Sequence, residues 1–293
     1  MARQTRRVVT LGALLLASAT AAYGGDDTSS EAGHAALAVD VDAEGARYMD
    51  GRVAFNFNRG WTELRVGRLT AEADESGFHA TTAGLAAGYQ LADAIDVSGA
   101  YVYREDSDSL EQHDFKGDIT YQGAAGSIGI DLFLRSAEYE TLASIERRRR
   151  DPVSIRIADS IEGRGLGLHG SVYASPRLAL FVAAMVYDYD EPAELPAGLT
   201  RWERVTVSGI TRDDVWLQDT VSVAATYEFA KLTLTADVTR DTTLYTDEKV
   251  LSSSLLASIS LAQRWIVSPW IGYSDADQSG STAFGGVELS VSW

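Results

Sequence analysis

The chain contains no cysteine, and its 25 lysines and arginines face 42 aspartates and glutamates, for a formal net charge of −17. Without cysteine there is no disulfide scaffold, no thiolate zinc site and no lipid-modified cysteine anchor. The shortage of cations argues against nucleic-acid partners, which need clustered positive charge. Histidine is scarce too: His34, His79, His113 and His169 are scattered with no ligand spacing, so neither a metal nor a cofactor is expected. Beyond the first twenty residues no apolar run approaches the ~20 residues a spanning helix needs. Apolar residues almost never recur at the helical period. A long chain without helices or disulfides is either a soluble β fold or a barrel closed within a membrane.

What is present begins with a basic stretch, "MARQTRR", then an apolar one, "VVTLGALLLASATA", ending on Ala19-Thr20-Ala21. That order reads as a secretory signal peptide over residues 1–21, cleaved on export. Its loss removes three arginines and no acid, leaving a formal charge of −20. Residues 22–33 then read as a short N-terminal segment, and 34–293 as one β domain.

Within that domain the dominant period is two, the alternation of a strand with one apolar and one polar face. In "TTAGLAAGYQLADAIDVSGAYVYRED", Leu85, Ala87, Tyr89 and Leu91 share one parity before a turn at Ala92–Ala94. Ile95, Val97, Gly99, Tyr101 and Tyr103 share one after it. Similar hairpins are expected around Asn58–Gly60, Arg135–Ala137, Ser175–Arg177, Phe229–Leu232 and Ala262–Trp265. With a strand before the first hairpin and one after the last, the count is fourteen. It falls to twelve if "AALAVDVD" lies inside instead of in the wall. Longer charged segments separate the hairpins: "EDSDSLEQHDFK", "RRRRDPVSIRIADSIE", the stretch from Asp190 to Trp216, and "DTTLYTDEKV". Short turns on one rim and long loops on the other are the asymmetry of outer-membrane barrels. Aromatics gather near strand ends: Tyr89, Tyr101, Tyr103, Tyr121, Tyr187, Tyr189, Tyr227, Phe229, Trp265, Tyr273 and Trp293. At membrane depth such rings form interfacial girdles, for which Tyr101, Tyr103, Tyr227, Trp265 and Trp293 are the leading candidates.

The last strand, "GVELSVSW", alternates Val287, Leu289, Val291 and Trp293 with Glu288, Ser290 and Ser292. With these features the chain resembles bacterial outer-membrane β-barrel proteins, and in size the monomeric fourteen-stranded porins. The C-terminal strand resembles the insertion signal of such barrels. The resemblance implies an all-β, single antiparallel transmembrane barrel with short periplasmic turns and long extracellular loops. It implies residence in the outer membrane of a Gram-negative bacterium, contact with lipid and lipopolysaccharide, and recognition of the C-terminal strand by barrel insertion machinery. Pro269 departs from the pattern, because proline removes a ladder donor, and a bulge or break is expected there. In "RLALFVAAMVYDYD" both parities are apolar, which leaves its inner face undecided.

The parity away from lipid nominates pore-lining residues: Arg65, Asp96, Asp131, His169, Ser171, Glu228, Asp237 and Glu288. Their mixed, hydrated character points to a passive channel for small polar solutes or ions, with the Asp190–Trp216 segment long enough to fold inward as a gate. The run Arg147, Arg148, Arg149 and Arg150 could set anion selectivity, contact lipopolysaccharide phosphates, or be neutralised by Glu146, Asp151 and Asp159. The rival within transport is a conduit for hydrophobic compounds, for whose usual N-terminal plug the segment from Tyr23 to Gly33 is too short. The alternatives of another class are a sealed barrel with a structural or adhesive role and, behind it, an outer-membrane hydrolase. Catalysis is not expected. His169-Gly170-Ser171 resembles the His-x-Ser pair of outer-membrane phospholipases but lacks the Asn-Gly that follows it there. Asp213-Asp214 and His113-Asp114 resemble the acidic pair and Asp–His pair of omptin-type proteases, with poor spacing. Asp106, Asp108, Glu111 and Asp114 offer oxygen donors of the kind calcium takes, on no EF-hand template.

Overall fold

The computed structural model describes residues 32–43, 45–71, 78–106, 110–147, 150–190, 216–244, 247–278 and 280–293; side chains of 71, 78, 139–147 and 150–159 are outside that description. The expected signal peptide, most of the N-terminal segment, Arg148, Arg149, Asp213 and Asp214 fall outside the described residues.

The alternation becomes fourteen strands: β1 (Gly33–Asp42), β2 (Arg47–Phe57), β3 (Gly60–Ala71), β4 (Phe78–Ala92), β5 (Ile95–Asp106), β6 (Leu110–Gly123), β7 (Gly126–Arg147), β8 (Arg150–Ser175), β9 (Leu178–Tyr189), β10 (Leu217–Glu228), β11 (Leu232–Thr243), β12 (Lys249–Ser260), β13 (Trp265–Ala276) and β14 (Gly280–Ser292). Each pairs antiparallel with its sequence neighbours, and β1 pairs with β14 to close the barrel. "AALAVDVD" therefore lies in the wall. At the seam Leu37 faces Leu289 and Val39 faces Val287, while Gly33 and Trp293 exchange backbone bonds of 3.2 and 3.1 Å. Over the span in which all fourteen strands pair, closure leaves no free edge, as a barrel in hydrocarbon requires.

Outward residues are apolar and exposed: Leu37, Val66, Ile128, Leu168, Val186, Ile271 and many like them form a continuous belt. A soluble monomer rarely exposes an apolar patch above a few hundred Å², whereas lipid makes the same belt favourable. Tyr101, Tyr103, Tyr227, Trp265 and Trp293 stand on this outward parity, but Tyr187 and Tyr189 turn inward and leave the expected girdle.

Five expected turns lie where the periodicity places them. The sixth does not: the chain turns at 124–125, and β7 runs unbroken through Arg135–Ala137. Arg135 is inward and charge-paired, so the polar run around it is an interior feature and not a solvated turn. The segment "RRRRDPVSIRIADSIE" also differs from expectation, since from Arg150 onward it is β8. β6 pairs with β7 only as far as Tyr139, and β9 pairs with β8 only from Gly163. From Glu140 to Arg147 the two long strands consequently pair, among the described residues, with each other alone. Most of "EDSDSLEQHDFK" is strand too, because β6 begins at Leu110. Residues 191–215, anticipated as a gating loop, and Asp108 lie outside the described residues. At Pro269 the ladder to β12 is interrupted between Leu256–Trp270 and Ile259–Val267, without a register shift, and β13 continues through it.

Candidate functional site

The interior divides into tiers. Near the rim opposite the short turns, the inward positions carry an apolar collar of Tyr48, Leu69, Ala80, Leu110, Ala137, Ile161, Trp216 and Phe284, with Tyr189, Leu244 and Trp270 packed against it. These residues come from strands all round the barrel. Tyr189 meets Trp216 at 5.3 Å between ring centroids, and Trp270 meets Phe284 at 5.4 Å. The apolar lining continues down one wall, where Met185 and Tyr187 of β9 pack on Phe133. That settles the inner face of β9 as apolar.

Under the collar sits a buried ion pair. Arg135 donates Nε to Asp114 Oδ1 and Nη2 to Asp114 Oδ2, both at 2.8 Å, the bidentate geometry that suits a guanidinium. Gln112 adds a third donor to Asp114 at 3.0 Å. The guanidinium lies 5.0 Å from the ring centres of both Phe133 and Trp216, so one aromatic contact comes from the collar itself. Across the lumen a second cluster joins β2, β3 and β14. Asp50 accepts from Arg52 at 3.1 Å and from Arg65, Arg65 donates to the Tyr48 hydroxyl at 3.2 Å, and Arg52 reaches Glu288 at 3.2 Å.

A third network links β5 to β8. His169 Nδ1 lies 2.8 and 2.9 Å from the Asp131 oxygens, and its Nε2 lies 2.9 Å from Thr120 Oγ1. Thr120 donates to Asp118 at 3.1 Å, and Ser98 donates to the same carboxylate. Gly129 makes space for this, since a Cβ there would run into the imidazole and sit 2.7 Å from Thr120 Oγ1. The hydroxyl–imidazole–carboxylate order resembles a nucleophilic triad. Thr120 and Asp131 are both 0% exposed, however, and the Thr120 proton is engaged with Asp118. The network braces the wall and presents no nucleophile.

Opposite, β10 to β13 form a hydroxyl wall. Thr226 pairs with Thr235 at 2.9 Å, Ser222 with Thr239 at 2.8 Å, Ser252 with Ser274 at 3.1 Å and Ser268 with Ser258 at 3.1 Å. Asp237 accepts from Ser254, and Asp241 accepts from Thr220 at 2.5 Å. At the short-turn mouth, the half-buried carboxyls of Glu63, Asp96 and Glu228 face inward. His34 lies 3.9 Å from Glu63, and Gln122 donates to Asp96 at 3.2 Å.

All eight pore-lining candidates from the sequence sit on the inward parity: Arg65, Asp96, Asp131, His169, Ser171, Glu228, Asp237 and Glu288. The structure joins Asp131 to His169, and it sends Ser171 to Ser127 at 2.8 Å instead of to His169. His113 and Asp114 point to opposite faces of β6; His113 stacks on Tyr101 and Tyr103 outside, while Asp114 lies inside. Glu111 and Asp114 diverge in the same way, so they cannot share a cation. Among the described residues no cluster of three or more metal-ligating side chains occurs. Arg147 and Arg150 pair across the end of the β7–β8 hairpin, and the side chains of that run are outside the description. Sequence reasoning missed the collar. Its clearest available signal was Leu110, an apolar residue on the otherwise polar parity of Gln112, Asp114, Lys116, Asp118, Thr120 and Gln122.

Solved structures share this barrel at low identity. The CymD monoaromatic hydrocarbon channel is 11% identical with a TM-score of 0.62, over 98% of this chain and 93% of that one. A deltaS2S3 mutant of the TodX monoaromatic hydrocarbon channel is 11% identical with a TM-score of 0.59, over 96% and 94%. The outer-membrane expressed OmpT of Vibrio cholerae is 11% identical with a TM-score of 0.51, over 89% and 96%. No protein-family model matches the chain, and no curated protein matches it. The likeness is one of fold, that of outer-membrane β-barrels.

Proposed function

We propose that this protein is an outer-membrane channel through which small polar solutes or ions diffuse passively. The observation that carries the reading is the pairing of a lipid-compatible outer belt with an interior lined by hydroxyls and carboxylates from β10 to β13 and at the short-turn mouth. A barrel that served only as a wall would gain stability from apolar filling. Each buried polar group here instead needs a partner, and most have one. In this reading the short turns face the periplasm and the collar faces the outside. Recordings across planar bilayers test it: folded protein should give discrete conductance steps, and an insulating barrel of intact fold would favour a sealed structural role instead.

One observation favours a second reading, passage of apolar solutes. The collar of Trp216, Ile161, Leu69 and Phe284 gives an aromatic-rich entrance, and two proteins of similar fold are named as channels for monoaromatic hydrocarbons. Bromobenzene, a heavy-atom quencher, distinguishes entry at the collar from simple partition into lipid. Saturable quenching that is lost in Trp216→Phe places an apolar solute at the collar. Equal, non-saturating quenching in both proteins removes this reading.

A further inference from the structure

We infer that the short-turn rim carries a binding arc for anionic phospholipid headgroups, built by Arg177, Lys231 and Arg264. The inference rests on the membrane reading above, and it concerns the outside of the rim and not the lumen.

Three consecutive hairpins, β8–β9, β10–β11 and β12–β13, each place one cation in their short connection. All three side chains are exposed, and among the described residues none has a carboxylate within ion-pair distance. Arg59 occupies the corresponding place between β2 and β3, but it lies 3.7 Å from Asp93 and is partly engaged. Of the two remaining short turns, 93–94 carries the acid Asp93 and 124–125 is uncharged. Along the short-turn rim the cations therefore concentrate on one arc. At the opposite rim the described strand ends carry exposed acids, Glu105, Glu111, Glu138, Glu162, Asp188 and Asp275, interspersed with the exposed cations Arg47, Arg68, Arg164, Arg240 and Lys249, of which Arg164 is paired with Asp188.

The second observation is the position of the aromatics. Tyr227 and Phe229 stand outward at the end of β10, with ring centroids 4.7 Å apart, and Trp265 stands outward at the start of β13. Lys231 follows Phe229 by two residues and Arg264 immediately precedes Trp265. Interfacial rings settle at the boundary of hydrocarbon and headgroup. Lys231 and Arg264 lie in the bends on the turn side of these rings, so their long side chains reach the phosphate layer directly beyond them. A basic group near an anionic membrane surface favours anionic lipid by about fivefold. Three such groups on one arc are enough to enrich anionic lipid beside it.

The test inserts the full-length protein into vesicles of phosphatidylcholine containing one-third phosphatidylglycerol and measures lipid retained per barrel on gentle extraction. The wild-type barrel should retain phosphatidylglycerol several-fold above its bulk share, and the excess should fall in high salt. Combined Arg177→Gln, Lys231→Gln and Arg264→Gln should abolish the excess. Neutralising Arg47 and Arg68 at the opposite rim should leave it intact. Equal retention by the wild type and the triple variant, or loss in the Arg47/Arg68 control alone, overturns the arc. A barrel that forms but enters neither these vesicles nor pure phosphatidylcholine overturns the membrane reading beneath it, a separate result scored by mobility shift on boiling.

Discussion

Replacing Arg135 with methionine while keeping Asp114 should destabilise the barrel by about 3–5 kcal/mol, the usual consequence of leaving one member of a buried ion pair without the other. Asp114 and Arg135 each have side chains only 2% exposed, so water cannot take over from the lost partner. The substitution also removes the cation between Phe133 and Trp216. Urea unfolding in vesicles, read by tryptophan emission, measures the effect. The double variant Asp114→Leu with Arg135→Met should recover most of the loss, because it removes both charges and leaves an apolar site contiguous with the collar. Arg164→Met provides the contrast. Arg164 bonds Asp188 at 2.5 Å, but the two side chains are 76% and 67% exposed, and such pairs contribute little. No measurable shift is expected there. If Arg164→Met and Arg135→Met proved equally damaging, burial would not be what gives the inner pair its weight.

That ion pair also shows where the sequence is legible and where it is not. Parity alone assigns Arg135 and Asp131 to one side of the wall, because a strand has only two faces. The same argument identifies the closing strand and its pairing with "HAALAVDVD". Partnership across strands needs the register, and register depends on where each turn falls. A turn placed at Arg135–Ala137 puts Asp114 and Arg135 beyond each other's reach. With the chain turning at 124–125 they face one another, as do Asp118 and Asp131. "RSAEYE" misleads because polar residues fall on both parities, which is the usual mark of a solvated turn. Its real cause is a charged interior meeting a hairpin that extends past its neighbours. The true turn is two alanines between Gly123 and Gly126, and its signal is spread across the flanking glycines. The collar was obscured for a related reason. The collar draws its apolar residues from separate strands, among them β2, β3, β4, β6, β7, β8 and β14, and only closure of the barrel brings residues such as Leu69 and Ile161 into a ring.

Neutralising the short-turn mouth should change which ions pass. Counting inward from that rim, the first two inward positions of the strands hold the acids Glu63, Asp96 and Glu228, and no lysine or arginine. One step deeper come Asp118, Asp131, Asp237 and Glu288, opposed by Arg52 and Arg65, which are already engaged with Asp50 and Glu288. An ion leaving through this mouth therefore meets net negative charge, the arrangement that favours cations. A unit charge about 4 Å away in water is worth about 1 kcal/mol, roughly a fivefold change in local ion occupancy. In a potassium chloride gradient the wild-type reversal potential should lie toward that of potassium. Glu63→Gln, Asp96→Asn and Glu228→Gln together should lower the cation-to-anion permeability ratio by about tenfold at low salt, allowing for partial screening. At 1 M salt, where the Debye length is about 3 Å, the two proteins should converge. The half-exposure of these three carboxyls makes the substitutions mild for folding, so conductance itself should persist. Conductance with an unchanged ratio would mean that ions do not pass these acids, and a wild-type preference for chloride would move selectivity to the arginines of the upper tiers.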